Sequence, residues 1–88
     1  MEFHVPRYLV EAYVPRAQVQ EAQAAGRRAR AAAEQLSREG MAVRHVRTTF
    51  LPEDETCFHV FEAGSEEIVR EVCRHACLGS PRIVPAVE

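Results

Sequence analysis

The chain has 88 residues and a mass of 9.9 kDa, which allows one small hydrophobic core and excludes two. With 47% apolar and 27% charged residues, the composition excludes wholesale disorder, and the net charge of −2 excludes a strongly basic nucleic-acid-binding protein. We therefore expect a single domain over 1–88, with no nucleic-acid partner. A monomer of this size buries only about 60% of its unfolded surface, so we also expect a homodimer.

Charge and cysteine usage indicate the compartment and the partners. Residues 1–50 hold 8 Arg against 5 acids, net +3, and residues 51–88 hold 3 Arg against 8 acids, net −5, so the two halves can attract each other. No signal peptide and no apolar run of about 20 residues is visible, and the three cysteines form an odd set. These features predict a soluble, cytoplasmic protein with no membrane partner.

The first half of the chain predicts a strand followed by a long helix. Residues 1–5 are expected to form an N-terminal extension in which His4 is exposed to solvent. Residues 7–14 are rich in β-branched and aromatic types and predict a strand, and residues 17–39 are rich in helix formers and end at Gly40, a helix-terminating residue. The apolar stripe of this helix is Val19, Ala22, Ala25, Ala29, Ala33 and Leu36.

The second half predicts a hairpin, a helix and a last strand. Strands over 42–51 and 56–63 flank a polar turn, Ser65 caps a helix that ends at Gly79, and 81–87 forms the final strand. This order predicts an α+β, ferredoxin-like βαββαβ plait. Its four-stranded antiparallel sheet carries both helices on one face.

Polar side chains converge on the sheet face away from the helices. A tight hairpin that pairs Leu51 with Thr56 places His45 on this face, directly opposite Glu62. Two carboxylates and an imidazole can bind a divalent metal, act as general acid and base, or bind a polar ligand; alternatively, such residues form cross-strand ion pairs in a dimer interface. The candidate ligand-binding residues are Glu11, Tyr13, His45, Arg47 and Glu62, and the candidate metal ligands are His45, Glu11 and Glu62.

The remaining histidine and cysteine residues favour structural roles. His59 falls on the helix-packed face beside Thr48, where a histidine is typically a hydrogen-bonded core or rim residue. Cys57 is expected in the core. Cys73 and Cys77 are expected to form a buried or half-buried thiol pair, because zinc sites typically use two spaced pairs of ligands.

The chain lacks several well-known functional motifs. It contains no glycine-rich phosphate loop, no dinucleotide fingerprint, no serine nucleophile elbow and no Cys-x-x-Cys pair, which argues against a nucleotide cofactor. The predicted sheet also lacks the aromatic pair with which ferredoxin-like RNA-binding domains stack bases.

Four segments carry a resemblance to a known family: Pro6–Glu11, Val43–Thr49, Glu55–Ala63 and Arg82–Val84. They resemble a bacterial family of small ferredoxin-like proteins, a domain of unknown function, some of whose members are described as nickel-binding. The resemblance covers nearly the whole chain. It implies a homodimer of the dimeric αβ-barrel type, with a site for nickel or another divalent transition metal.

Three functional hypotheses follow. The leading one is a non-enzymatic homodimer that holds a metal ion or small ligand on the open sheet face, in the space between two sheets. The alternative is a cofactor-free enzyme of the dimeric αβ-barrel type, an isomerase, cyclase or monooxygenase, in which His45 or Glu62 acts as a base. A third is a purely structural or interaction module with an ion-paired dimer interface.

Overall fold

The structure is a computed structural model that describes residues 5–87, so the expected N-terminal extension, His4 included, lies outside the described residues except for Val5. The predicted ferredoxin-like α+β fold is confirmed. A short 3₁₀ turn connects the second and third strands. The elements are β1 (Arg7–Tyr13), α1 (Val19–Arg38), β2 (Val43–Leu51), β3 (Thr56–Ala63), α2 (Glu66–His75) and β4 (Arg82–Ala86).

The four strands form one antiparallel sheet in the order β2-β3-β1-β4. Helix α1 packs mainly over β2, and α2 packs over β3 and β4 beside α1. Both helices cover the same face, and the opposite face is called the open face below. Because β2 is an edge strand, the boundary between α1 and β2 lies at the side of the molecule.

The core lies between the helices and the sheet, and small side chains on α1 keep its layers close together. Among its largest fully buried side chains are Phe61, Leu36 and Val10. Gly26 serves this close approach, because a Cβ added there would lie 3.1 Å from the Cβ of Thr48 on β2. The predicted helix stripe is confirmed except at Val19, which is 45% exposed. The buried positions of α1 are Ala22, Ala25, Ala29, Ala32, Ala33 and Leu36.

The predicted end of α2 at Gly79 is wrong, because the helix ends at His75. Cys77 adopts a left-handed conformation with φ 55°, the position usually taken by glycine. The N–H of Cys77 donates to the carbonyl of Arg74, and the N–H of Leu78 donates to that of Cys73, at 3.2 and 3.0 Å. These two hydrogen bonds satisfy the terminal carbonyls of α2 and so stop the helix before the glycine is reached.

The register of the hairpin is confirmed near the turn and changes further along β2. Leu51 pairs with Thr56, as predicted, and Arg47 pairs with Val60. Val46 then has no partner on β3, which marks a β-bulge. A bulge adds one residue to one strand, so every residue beyond it changes face relative to a regular ladder.

The bulge overturns the predicted position of His45. His45 pairs with Phe61, a buried core residue, and therefore lies on the helix-packed side of the sheet. Arg44 takes the place opposite Glu62. The prediction that His45 faces Glu62 on the open face is wrong, because the ladder between β2 and β3 is not regular over the whole of β2.

Candidate functional site

The structure divides the predicted site residues between the two faces of the sheet. Glu11, Tyr13, Arg47 and Glu62 lie on the open face, whereas His45 lies on the other. The pair of Leu9 and Val60 separates the two carboxylates on the open face, since Glu62 pairs with Arg7 and Glu11 with Phe58. The open face comprises Arg7, Leu9, Glu11 and Tyr13 of β1, Arg44, Arg47, Thr49 and Leu51 of β2, Thr56, Phe58, Val60 and Glu62 of β3, and Arg82, Val84 and Ala86 of β4.

Both carboxylates of the open face have arginine partners. The Arg44 guanidinium donates two hydrogen bonds to Glu62 at 3.0 and 2.8 Å, and Arg7 donates to the other carboxylate oxygen at 3.1 Å. The hydrogen bond from Arg44, with that from Arg7, holds the pKa of Glu62 below its ordinary value. Glu11 forms a longer ion pair with Arg82, at 3.7 Å. The open face therefore neutralises its own negative charges.

His45 is half-buried at the edge of the sheet, between β2 and α1. Its ring lies edge-on to the Phe61 ring, with centroids 5.4 Å apart, and its Nε2 lies 2.8 Å from the hydroxyl of Thr48. Burial lowers the pKa of His45, and the neighbouring Arg30 guanidinium lowers it further, while Glu34 opposes them. The imidazole is therefore neutral at pH 7.

A chain of polar groups continues from His45 into the core. The Thr48 hydroxyl lies 2.7 Å from Nδ1 of His59, whose Nε2 lies 3.7 Å from the Cys57 sulfur. His59 is fully buried, and burial is the largest cause that lowers its pKa to about 4. Burial also raises the pKa of the Cys57 thiol. The predictions that His59 is a satisfied core histidine and that Cys57 is a core residue are confirmed. We call these four groups, His45, Thr48, His59 and Cys57, the polar chain.

A positively charged groove of about 780 Å³ opens over His45, between α1 and the edge strand β2. Four arginines and one glutamate line it, so its formal charge is +4 − 1 = +3 with His45 neutral. The α1 side of this groove can be recognised in the sequence, because Arg30, Glu34 and Arg38 recur at four-residue steps and so lie along one ridge of the helix. We define the arginine groove by Arg30, Glu34, Arg38, Arg44, His45 and Arg47.

The predicted metal ligands do not form one site within the chain. His45 lies across the sheet from Glu11 and Glu62, and residues 5–87 contain no group of three or more histidine, cysteine or acidic side chains that fits a metal ion. Cys73 is buried, as predicted, and burial raises its pKa to about 11. Cys77, predicted to be at least half-buried, is exposed just beyond α2.

No protein-family model, curated protein or solved structure matches this chain. In residues 5–87, neither helix combines the length and the apolar character that crossing a bilayer requires.

Proposed function

We propose that the protein is a homodimeric ligand-binding protein whose two copies pair through the open face. One observation supports the pairing: the centre of this face is apolar, and the carboxylates beside it are already paired with arginines. Leu9, Phe58 and Val84 are half-buried there around Val60, although no helix covers them. A second copy would remove their remaining apolar surface from water.

The internal ion pairs make this face suitable for burial. Taking an unpaired carboxylate out of water costs several kcal/mol, whereas a carboxylate with guanidinium partners keeps most of its interactions. Glu62 has two such partners and Glu11 has one. The closest partners of Glu62 are supplied by its own chain, so the second copy need not supply a cation to either carboxylate.

Binding is better supported than catalysis by the two candidate bases. An effective general base has a pKa near the working pH. The arginine partners of Glu62 hold its pKa below the ordinary value, and burial lowers that of His45. In addition, Nε2 of His45 is engaged with Thr48. Both groups are therefore weak bases that are well placed to hold a fixed geometry.

Sedimentation velocity tests the dimer directly. We expect the wild-type protein to sediment as a dimer of about 20 kDa, twice 9.9 kDa, and Leu9→Glu to sediment as a monomer, because the substitution places an additional carboxylate at the apolar centre of the face. Val19→Glu is the matched control. Val19 is an exposed apolar residue of α1, so this variant should remain dimeric. Far-ultraviolet circular dichroism verifies that both variants are folded.

Two results would contradict the proposed pairing. A wild-type protein that remains monomeric up to millimolar concentration excludes the dimer. A dimer that survives Leu9→Glu but dissociates in Val19→Glu assigns the interface to the helical side instead.

A further inference from the structure

We propose that the arginine groove binds a small phosphorylated molecule, and that the polar chain presents the Nδ1–H of His45 to it as a hydrogen-bond donor. This inference rests on the proposed ligand-binding function and names the class of ligand. The site lies at the side of the molecule where α1 meets β2, and it adjoins the open face at Arg44 and Arg47.

Most of the positive charge in the arginine groove is available to a ligand. Arg38 and Arg47 form no ion pair with any residue in the described part of the chain. Arg30 has only a long contact of 3.9 Å with Glu34, in which the side chains are 72% and 57% exposed, so solvent screens the pair strongly. Arg44 is held by Glu62. Three of the four guanidinium groups are therefore free or nearly free to bind an anion.

The chemistry of these arginine side chains suits phosphate. Guanidinium groups bind phosphate through paired N–H donors, and they remain charged at any physiological pH. Arg30 and Arg38 come from one ridge of α1, whereas Arg47 comes from β2, so the groove presents positive charge from two directions. A dianion such as a phosphate monoester matches this charge better than a single carboxylate does.

The hydrogen bonds of the polar chain allow two orders of protons. The Thr48 hydroxyl lies between Nε2 of His45 and Nδ1 of His59, and it has one proton, so it donates to one ring and accepts from the other. In one order, Cys57 donates to Nε2 of His59, His59 donates from Nδ1 to Thr48, and Thr48 donates to Nε2 of His45. His45 then carries its own proton on Nδ1. In the reverse order, His45 donates from Nε2 to Thr48, Thr48 donates to Nδ1 of His59, and His59 donates from Nε2 to Cys57. Nδ1 of His45 is then an unprotonated acceptor.

The buried end of the chain favours the first order. A thiol is a weak donor and a weaker acceptor, whereas an imidazole nitrogen is a good acceptor. In the first order, the Cys57 thiol donates to a good acceptor, Nε2 of His59. In the reverse order, the His59 N–H donates to the Cys57 sulfur, a weak acceptor, and the thiol proton takes no part in the polar chain. Burial keeps Cys57 protonated and His59 neutral, as both orders require. His45 thus offers an N–H, and not a lone pair, to an anion.

Titration calorimetry with inorganic phosphate and with pyrophosphate tests the site. We expect saturable binding, about tenfold weaker in Arg38→Gln because one charged hydrogen-bonding group is lost. Arg27→Gln is the matched control, since Arg27 is an exposed arginine of the same helix that does not line the groove. Absence of saturable binding, or equal weakening in the two variants, would overturn the site.

Nitrogen-15 correlation spectra of the histidine rings test the proton order in the ligand-free protein. We expect His45 to be protonated at Nδ1 and to lose this preference in the isosteric variant Thr48→Val, which should also weaken phosphate binding severalfold. Protonation of His45 at Nε2 would overturn the proposed donor. These outcomes are separable from the dimer, because a monomer that binds phosphate refutes only the pairing, and a dimer that does not bind it refutes only this inference.

Discussion

At the scale of single residues, His59 shows how burial sets protonation in this protein. Its side chain is fully buried, and its two ring nitrogens lie beside Thr48 and Cys57. A charged imidazole there would lose its hydration, and the nearby Arg28 guanidinium disfavours it further. The folded protein therefore keeps this histidine neutral under conditions in which the unfolded chain protonates it.

This difference predicts loss of stability in acid. The pKa of His59 falls from an ordinary value of 6.5 to about 4 on folding, so between these values the unfolded chain binds a proton that the folded chain does not. The stabilisation is complete above pH 6.5 and is lost as the pH falls towards 4, by roughly 3 kcal/mol. Urea unfolding across this range measures it, and His59→Leu should flatten the slope. A ring titration midpoint for His59 close to 6.5 would contradict the prediction.

Gly26 gives a second prediction at this scale. In an exposed helix interior, Gly→Ala typically stabilises by about 1 kcal/mol. Here the new Cβ would lie 3.1 to 3.2 Å from three atoms of the Thr48 side chain, including its Cβ, which cannot rotate away. We therefore expect Gly26→Ala to lower the free energy of unfolding by about 1 kcal/mol, as measured by chemical denaturation. A stabilised variant would show that α1 can move away from β2 at little cost.

At the scale of secondary-structure elements, the sequence predicted the fold and missed the bulge. Strand and helix positions follow from composition, periodicity and turn residues, and Ser65 caps α2 as predicted, with its hydroxyl accepting from the Ile68 N–H. The bulge at Val46 carries no glycine or proline to mark it. One signal was available: Val43 and Phe50 are both apolar at an odd separation, and a regular strand cannot direct both towards the core.

The bulge also explains why His45 does not lie with Glu11 and Glu62. A regular ladder would bury Arg44 on the helix-packed side and expose His45 on the open face. The bulge reverses both, so that Arg44 neutralises Glu62 and His45 joins the polar chain. The hydrophobic pattern of β2 alone does not determine the faces of Arg44 and His45, because these depend on where the strand accommodates one extra residue.

The contact between the two helices gives a prediction at the same scale. Nε of Arg28 on α1 donates to the carbonyl of Ala76, the C-cap of α2, at 2.8 Å, and a second nitrogen donates to Glu21 at 3.1 Å. Arg28→Met keeps most of the packing and removes both hydrogen bonds, so we expect it to lower the free energy of unfolding by about 1 to 2 kcal/mol. Arg27→Met, at an exposed neighbouring position, should change it little. Equal effects of the two variants in urea unfolding would contradict this role for Arg28.

At the scale of the whole molecule, two adjoining surfaces differ in their chemistry. The open face has an apolar centre and neutralised carboxylates, which suits a second copy of the chain. The arginine groove lies at the edge strand and retains unpaired positive charge, which suits a small anion. The two surfaces meet at Arg44 and Arg47, so the arginine groove borders the face proposed for pairing.

Nuclear Overhauser spectroscopy on a mixed sample tests the central claim of pairing through the open face. One half of the chains carries carbon-13 and the other half does not, so isotope filtering retains contacts between copies. We predict contacts from the methyl groups of Leu9, Val60 and Val84 to the Phe58 ring of the other copy. Contacts between copies that involve α1 or α2, with none from these four side chains, would contradict the account.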